Sequence, residues 1–144
     1  MALTTVVNLN KRSRINNGYI PRCLRDQAHR THCEACHREY GTWVTTRRGR
    51  HVKLRQAIDH VFPRRWLLNF NLYANLIGNL VSVCANDCHP QKIRAENALF
   101  EGNAIGYVTE LRRLNWPTET IRKAAEFYGL REVVSLLDRE GRLN

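Results

Sequence analysis

Two pairs of closely spaced cysteines constrain the fold of this chain more than any other feature of its sequence. Two residues separate Cys33 from Cys36, and three separate Cys84 from Cys88. Such pairs are typical of a tetrahedral metal site, in which two short segments each supply two thiolates to one ion. We therefore expect a structural zinc to join the two segments, although small buried thiols are the alternative. The fifth cysteine, Cys23, is expected to be a free thiol.

Basic residues are concentrated in the first half of the 144-residue chain. Residues 1–65 carry 14 Lys or Arg and 4 Asp or Glu, whereas residues 66–144 carry 9 of each. Arginine accounts for 19 of the 23 basic residues, and its guanidinium suits bidentate contacts with phosphates and guanine edges. This uneven distribution, within a net charge of +10, favours a nucleic-acid partner over an evenly solvated basic surface.

The composition predicts one folded domain with an appended arm. Hydrophobic residues make up 43 % of the chain, which is enough to bury a core. No segment resembles a signal peptide or a transmembrane helix, so we expect no membrane association and a reducing cytoplasm, where paired thiolates can hold zinc. We divide the chain into a basic N-terminal arm (1–32), a metal-bearing core (33–100) and a C-terminal helical cap (101–144).

A basic turn separates two runs of strand-forming residues. Residues 40–46 and 51–58 predict a hairpin, and its tip carries Arg47, Arg48 and Arg50. A tip of this kind can dock on DNA phosphates, or it can be an ordinary solvated turn.

The rest of the chain predicts one more strand and several helices. The apolar segment 64–78 predicts a short helix packed on the core, and 80–84 predicts a strand. Periodicity and helix-start signals predict further helices at 104–114, 116–128 and 131–139. A helix-turn-helix interpretation of the last two helices is disfavoured by the neutral charge of this half and by Ser135 and Asp138, which stand where apolar residues are needed.

The second cysteine pair is predicted to lie on a helix. Because Cys84 and Cys88 are four residues apart, they would share one side of a helical turn. His89 would lie about 100° further round the same helix, facing a separate cleft. One helix would then serve a zinc site and a second site at once.

A histidine beside a carboxylate, a later asparagine and a final histidine fall within one short segment. Asp59-His60-Val61 is followed by Pro63, Asn79-Leu80 stand shortly before Cys84, and Cys88-His89 are followed by Lys92. In this order, with the upstream cysteine pair, the segment resembles the HNH endonuclease family, in particular its zinc-bearing members of the small phage and prophage type. Family members commonly have two residues between the second pair of cysteines, where this chain has three.

The resemblance implies both a fold and a chemistry. The fold class would be α+β, a ββα-metal (HNH) finger clamped by the four-cysteine zinc site, with additional C-terminal helices. His60 would be the general base that activates water, and Asn79 would fix the loop that carries it. Asp59 and His89 would hold a catalytic Mg²⁺ or Mn²⁺. The reaction would be the hydrolysis of DNA phosphodiester bonds, by nicking or double-strand cutting, to 5′-phosphate and 3′-hydroxyl ends.

Partners and alternatives follow from the same residues. Arg64, Arg65 and Lys92 join the hairpin tip as candidates for gripping the backbone of double-stranded DNA. A homodimer would be a simple way to cut both strands, and a phage packaging protein is a second conceivable partner. The resemblance suggests the cytoplasm of a bacterial host, with the gene carried by host or phage.

The alternative function is a zinc-stabilised nucleic-acid-binding protein without catalysis, in which His60 and His89 are structural.

Overall fold

The computed structural model describes residues 20–143, with side chains to residue 140, and it has a mixed α+β architecture. The expected α+β class is confirmed in that range. The greater part of the predicted N-terminal arm lies outside the described residues. Six helices and two small antiparallel sheets make up the described part, in the order α1 (Arg22–Ala28), β1 (Trp43–Thr45), β2 (His51–Lys53), β3 (Gln56–His60), α2 (Arg64–Leu68), β4 (Leu80–Cys84), α3 (Cys88–Phe100), α4 (Ala104–Arg113), α5 (Thr118–Phe127) and α6 (Arg131–Leu143).

The first sheet is the predicted basic hairpin, but it is shorter than the sequence suggests. Strands β1 and β2 pair antiparallel, with Val44 opposite Val52. The predicted strand over 51–58 is divided between two sheets: Leu54 is still hydrogen-bonded to Gly41 and Thr42 across the hairpin, and from Arg55 the chain pairs with the turn that follows β4. Strand β3 then starts at Gln56 and pairs with β4 in a second sheet. Gly49 closes the hairpin tip with φ +81°, a conformation that a residue without Cβ adopts at little cost.

The second sheet carries Asp59 and His60. Strands β3 and β4 are antiparallel, and the register places Asp59 opposite Val81 and His60 opposite Leu80. All five residues of β4 are buried. The segment between the strands contains α2, as predicted, and a single 3₁₀ turn, Ile77–Asn79.

The expected single helix through Cys84 and Cys88 is wrong. Cys84 pairs with Gln56 at the end of β4, so it belongs to the sheet. A three-residue turn follows, and α3 begins at Cys88. The two thiols still approach one another, because the turn folds the helix start back onto the strand end.

The three predicted C-terminal helices are confirmed, with small shifts of their ends. Helix α4 packs on α3, α5 packs on the 3₁₀ turn, and α6 packs on α4 and α5. The Phe62 ring lies 5.9 Å from that of Tyr107 and 6.3 Å from that of Tyr128. The Tyr107 hydroxyl donates to the backbone oxygen of Val61, and the Tyr128 hydroxyl donates to that of Tyr73 over 2.6 Å. The cap is therefore hydrogen-bonded to the segment that connects β3 and β4. Within residues 20–143, no helix combines the length and apolar character needed to cross a bilayer.

Candidate metal centre and active site

The four paired cysteines form one cluster. The Sγ atoms of Cys33, Cys36, Cys84 and Cys88 all lie within 4.8 Å of one another. A tetrahedral zinc with bonds of about 2.3 Å needs sulfurs close together in this way, so the donor set fits a structural metal such as zinc. Cys23 is exposed and lies outside the cluster.

Hydrogen bonds to sulfur favour a thiolate at Cys33. The backbone N–H groups of Cys36 and Cys84 donate to Cys33 Sγ over 3.4 and 3.3 Å, and that of Cys88 donates to Cys84 Sγ over 3.2 Å. The neighbouring thiols of Cys84 and Cys88 lower the pKa of Cys33 far below its ordinary value. The same contacts raise the pKa of Cys84 and Cys88, so without a bound cation the protein favours one negative charge in the cluster, on Cys33.

Arg38 connects the cysteine cluster to the start of α3. Its Nε donates to Cys36 Sγ over 3.1 Å, and its Nη2 forms an ion pair of 2.8 Å with Asp87 Oδ2. A guanidinium in this position offsets the charge of a four-thiolate site and fixes the orientation of one ligand. Sequence reasoning missed Arg38, although it stands only two residues after Cys36.

Asp59 and His89 meet although they lie on different elements. His89 Nε2, from the first turn of α3, lies 3.5 Å from Asp59 Oδ2 on β3. The two side chains are mostly buried, with exposed fractions of 30 % and 17 %. Burial alone would raise the pKa of Asp59, but the charge of Lys92 and the neighbouring His89 imidazole hold it well below the usual range. The carboxylate is therefore ionised at neutral pH.

Lys92 lies inside the protein instead of on a DNA-facing surface. Its side chain is 1 % exposed, and its Nζ lies 2.9 Å from Asp59 Oδ2 and 2.6 Å from Glu96 Oε2. Burial alone would lower the pKa of Lys92, but the acidic groups Tyr107, Asp59 and Glu96 raise it overall. The expectation that Lys92 grips a DNA backbone does not agree with this burial.

His60 ends β3 beside Asp59 and is oriented by a residue that the sequence did not indicate. Its Nε2 lies 2.7 Å from the side-chain oxygen of Asn75. Because an amide oxygen can only accept, Nε2 carries the proton and Nδ1 is left as the basic nitrogen. Burial lowers the pKa of His60, so its ring is neutral near pH 7.

Asn79 holds the two ends of the segment between the strands together. Its side-chain oxygen accepts from the backbone N–H of Phe62 over 2.9 Å, and its Nδ2 donates to the backbone oxygens of Phe62 and Ala74 over 3.0 Å each. Its own backbone oxygen accepts from the N–H of Val61 over 2.8 Å. Asn79 is 1 % exposed, so these bonds are shielded from water.

The arginines predicted to contact DNA occupy two places. Arg47, Arg48 and Arg50 are exposed at the hairpin tip and line a groove. Arg64 is half-buried at the start of α2, near enough to His60 for its charge to contribute to the lowered pKa of that ring. Arg65 is exposed, and its guanidinium lies 5.3 Å from the centre of the Phe100 ring.

Comparison with known proteins finds no relative of this chain. No protein-family model matches it, and the searches of curated proteins and of solved structures find no match either. The functional assignment therefore depends on the geometry of the site itself.

Proposed function

We propose that the protein is a metal-dependent DNA endonuclease or nickase of the HNH type. The observation that carries this proposal is the 3.5 Å approach of His89 Nε2 to Asp59 Oδ2, with His60 as the next residue after Asp59. His60 is near enough for the charges of Asp59 and Lys92 to contribute to the pKa of its ring, and two metal-ligand side chains with a neutral imidazole nearby are the minimum set for metal-assisted hydrolysis. The order of strand β3, strand β4 and helix α3 around this pair agrees with the proposed ββα-metal finger.

The residues present fit a divalent cation between Asp59 and His89. Two ligands of one ion with bonds of about 2.1 Å would lie about this far apart. Asp59 Oδ2 lies 2.9 Å from Lys92 Nζ as well as 3.5 Å from His89 Nε2, so a cation at this point would share the carboxylate with the lysine. When bound, Mg²⁺ or Mn²⁺ would act as a Lewis acid on the scissile phosphate.

The side chains of this protein would supply the proton transfer and its orientation. His60 Nδ1, left unprotonated by the bond from Nε2 to Asn75, would take a proton from the attacking water. The hydrogen bonds of Asn79 would keep the end of β3 and the following segment in one conformation. Arg64 would place a positive charge close to the reacting phosphate.

The alternative is a zinc-stabilised nucleic-acid-binding protein without catalysis. The ion pair between Lys92 and Asp59 favours it, because an ammonium already neutralises the carboxylate that a metal would need. His89 and Lys92 approach the same oxygen, Asp59 Oδ2, but an ionised carboxylate has about four lone-pair sites and can serve a lysine and a cation together, so we rank the nuclease first.

A plasmid-cleavage assay tests the proposal. Supercoiled DNA is incubated with the wild-type protein in Mg²⁺, Mn²⁺ or EDTA, and with His60→Ala and His29→Ala. His29 is an exposed histidine on the surface, so its replacement is a matched control. We expect metal-dependent conversion to nicked or linear DNA by the wild type and by His29→Ala, and at least 100-fold slower conversion by His60→Ala.

Two results would contradict the nuclease. Equal cutting by His60→Ala and His29→Ala would remove His60 from the reaction. Tight DNA binding with no cutting in any divalent cation would favour the binding protein.

A further inference from the structure

A groove lined by four arginines lies between the hairpin tip and helix α3. Arg47, Arg48 and Arg50 reach it from the tip, and Arg94 reaches it from α3. Its volume is about 280 Å³, and it opens to solvent. We call it the arginine groove. Arg94 is remote from the hairpin in sequence, so only the folded chain adds it to the set.

Asp87 holds the hairpin tip against the start of α3. Its Oδ1 accepts from the backbone N–H of Arg47 over 3.4 Å and from Gln91 Nε2 over 3.3 Å. The Arg47 guanidinium donates in turn to Gln91 Oε1. The backbone N–H of Arg50 donates to the hydroxyl of buried Thr46 over 3.2 Å. Hydrogen bonds within the protein therefore hold the walls of the groove in place.

The charge of the groove is not balanced locally. Asp87 is the one carboxylate among its lining residues, and its Oδ2 is ion-paired with Arg38 at 2.8 Å. Among the residues that the structure describes, no carboxylate forms an ion pair with Arg48, Arg50 or Arg94. Converging guanidiniums without acidic partners repel one another and attract a polyanion.

The groove and the candidate active site lie on different faces of α3. His89, Lys92 and Glu96 recur at the spacing of one helix face, and Lys92 joins Asp59 there. Arg94 is five residues after His89, which turns it about 140° round the helix axis. A ligand that passes the start of α3 would therefore meet the active site on one side and the arginine groove on the other.

We propose that the arginine groove binds backbone phosphates of DNA away from the cleaved bond. The inference rests on the proposed function, which identifies the polyanion as DNA. The arginine groove would be a second DNA contact, on the face of α3 that does not carry the candidate active site. Guanidiniums on phosphates carry no sequence information, so the groove contributes affinity and position.

The salt dependence of DNA binding tests this role. Binding of a fluorescent 20-base-pair duplex is measured in EDTA at several salt concentrations, for the wild type, Arg48→Gln, Arg94→Gln and the double variant. The slope of log K against log salt is negative, and each phosphate contact adds about 0.9 to its magnitude. We expect that magnitude to decrease by about 0.9 in each single variant and by about 1.8 in the double variant.

A matched control separates local contacts from net charge. Lys123 and Arg131 are exposed on the C-terminal helices, so Lys123→Gln/Arg131→Gln removes the same charge from another surface. We expect its slope to equal that of the wild type. Equal slopes in the two double variants would overturn the proposal, and so would a wild-type protein that does not bind the duplex.

The two proposals fail in different ways. Binding is measured in EDTA, so it does not depend on cleavage. A wild type that shows the expected slopes but does not cut plasmid DNA would refute the nuclease and support the arginine groove. A wild type that cuts DNA while the groove variants bind as the control does would refute the groove alone.

Discussion

Lys92 Nζ lies 2.9 Å from Asp59 Oδ2, and the lysine side chain is 1 % exposed. A charged side chain is buried at this depth only when its charge is compensated, and Glu96 supplies the second carboxylate at 2.6 Å. The lysine therefore ties α3 to β3 directly beside the candidate active site. This contact gives the first of four predictions.

Replacement of the buried lysine should destabilise the fold. Lys92→Met would leave Asp59 and Glu96 without a counter-charge, so we expect the free energy of unfolding to decrease by about 3 kcal/mol. The value is at the low end for buried pairs because both carboxylates retain some exposure. Urea denaturation measures it, with the exposed Lys123→Met as control. Adding Glu96→Gln should restore part of the loss, and a Lys92→Met protein as stable as its control would contradict a stabilising role.

Loss of one cysteine ligand should abolish metal binding and the cooperative fold. Cys88→Ser removes a thiolate from the cluster, and structural zinc contributes about 10–16 kcal/mol in small domains. We expect the zinc content to fall from about one ion per chain to near zero, and thermal unfolding monitored by circular dichroism to lose its cooperative transition. Cys23→Ser makes the same change at an exposed thiol and should alter neither quantity. Unchanged zinc content in Cys88→Ser would place the metal elsewhere.

The hydrogen bond between His60 and Asn75 should control the rate of DNA cleavage and should not affect the binding of DNA. Asn75→Leu removes the acceptor for the Nε2 proton with little change in size, whereas Asn75→Asp retains an acceptor. We expect kcat to fall about 100-fold in the leucine variant with KM nearly unchanged, and by less than about tenfold in the aspartate variant. Steady-state cleavage of an oligonucleotide duplex measures both. Equal loss in the two variants would mean that Asn75 does not act through its acceptor oxygen.

The buried imidazole of His60 should make the protein less stable in mild acid. Its folded-state pKa is lowered by burial, so below about pH 6.5 the unfolded chain binds a proton that the folded chain does not. The contribution of His60 is constant above that pH and is lost as the pH falls through the folded-state value. Urea denaturation at pH 7.5 and 5.0 should show a smaller pH-dependent loss in His60→Gln than in His29→Gln. An equal loss in both would mean that His60 titrates like an exposed histidine.

Local patterns predicted the elements that depend on local physics. The 3.6-residue periodicity and the glycine at 129, with φ +74°, are sufficient for the C-terminal helices, because each buries one apolar face. The strand over 51–58 failed for a physical reason. Between Leu54 and Arg55 the chain exchanges one pairing partner, the hairpin, for another, the turn after β4, and strand propensity does not contain that tertiary requirement.

The spacing of the cysteines was sufficient to predict a metal cluster, because separations of two and three residues limit how thiolates can converge. The order of four residues was sufficient to predict a candidate site: Asp59, His60, Asn79 and His89. Tertiary structure alone decided what surrounds that site. Asn75 is 15 residues from His60, and Gln91 is 44 residues from Arg47. No local period relates residues so far apart, and only the packing of α3 against the strands brings Lys92 inside and Arg94 to the hairpin tip.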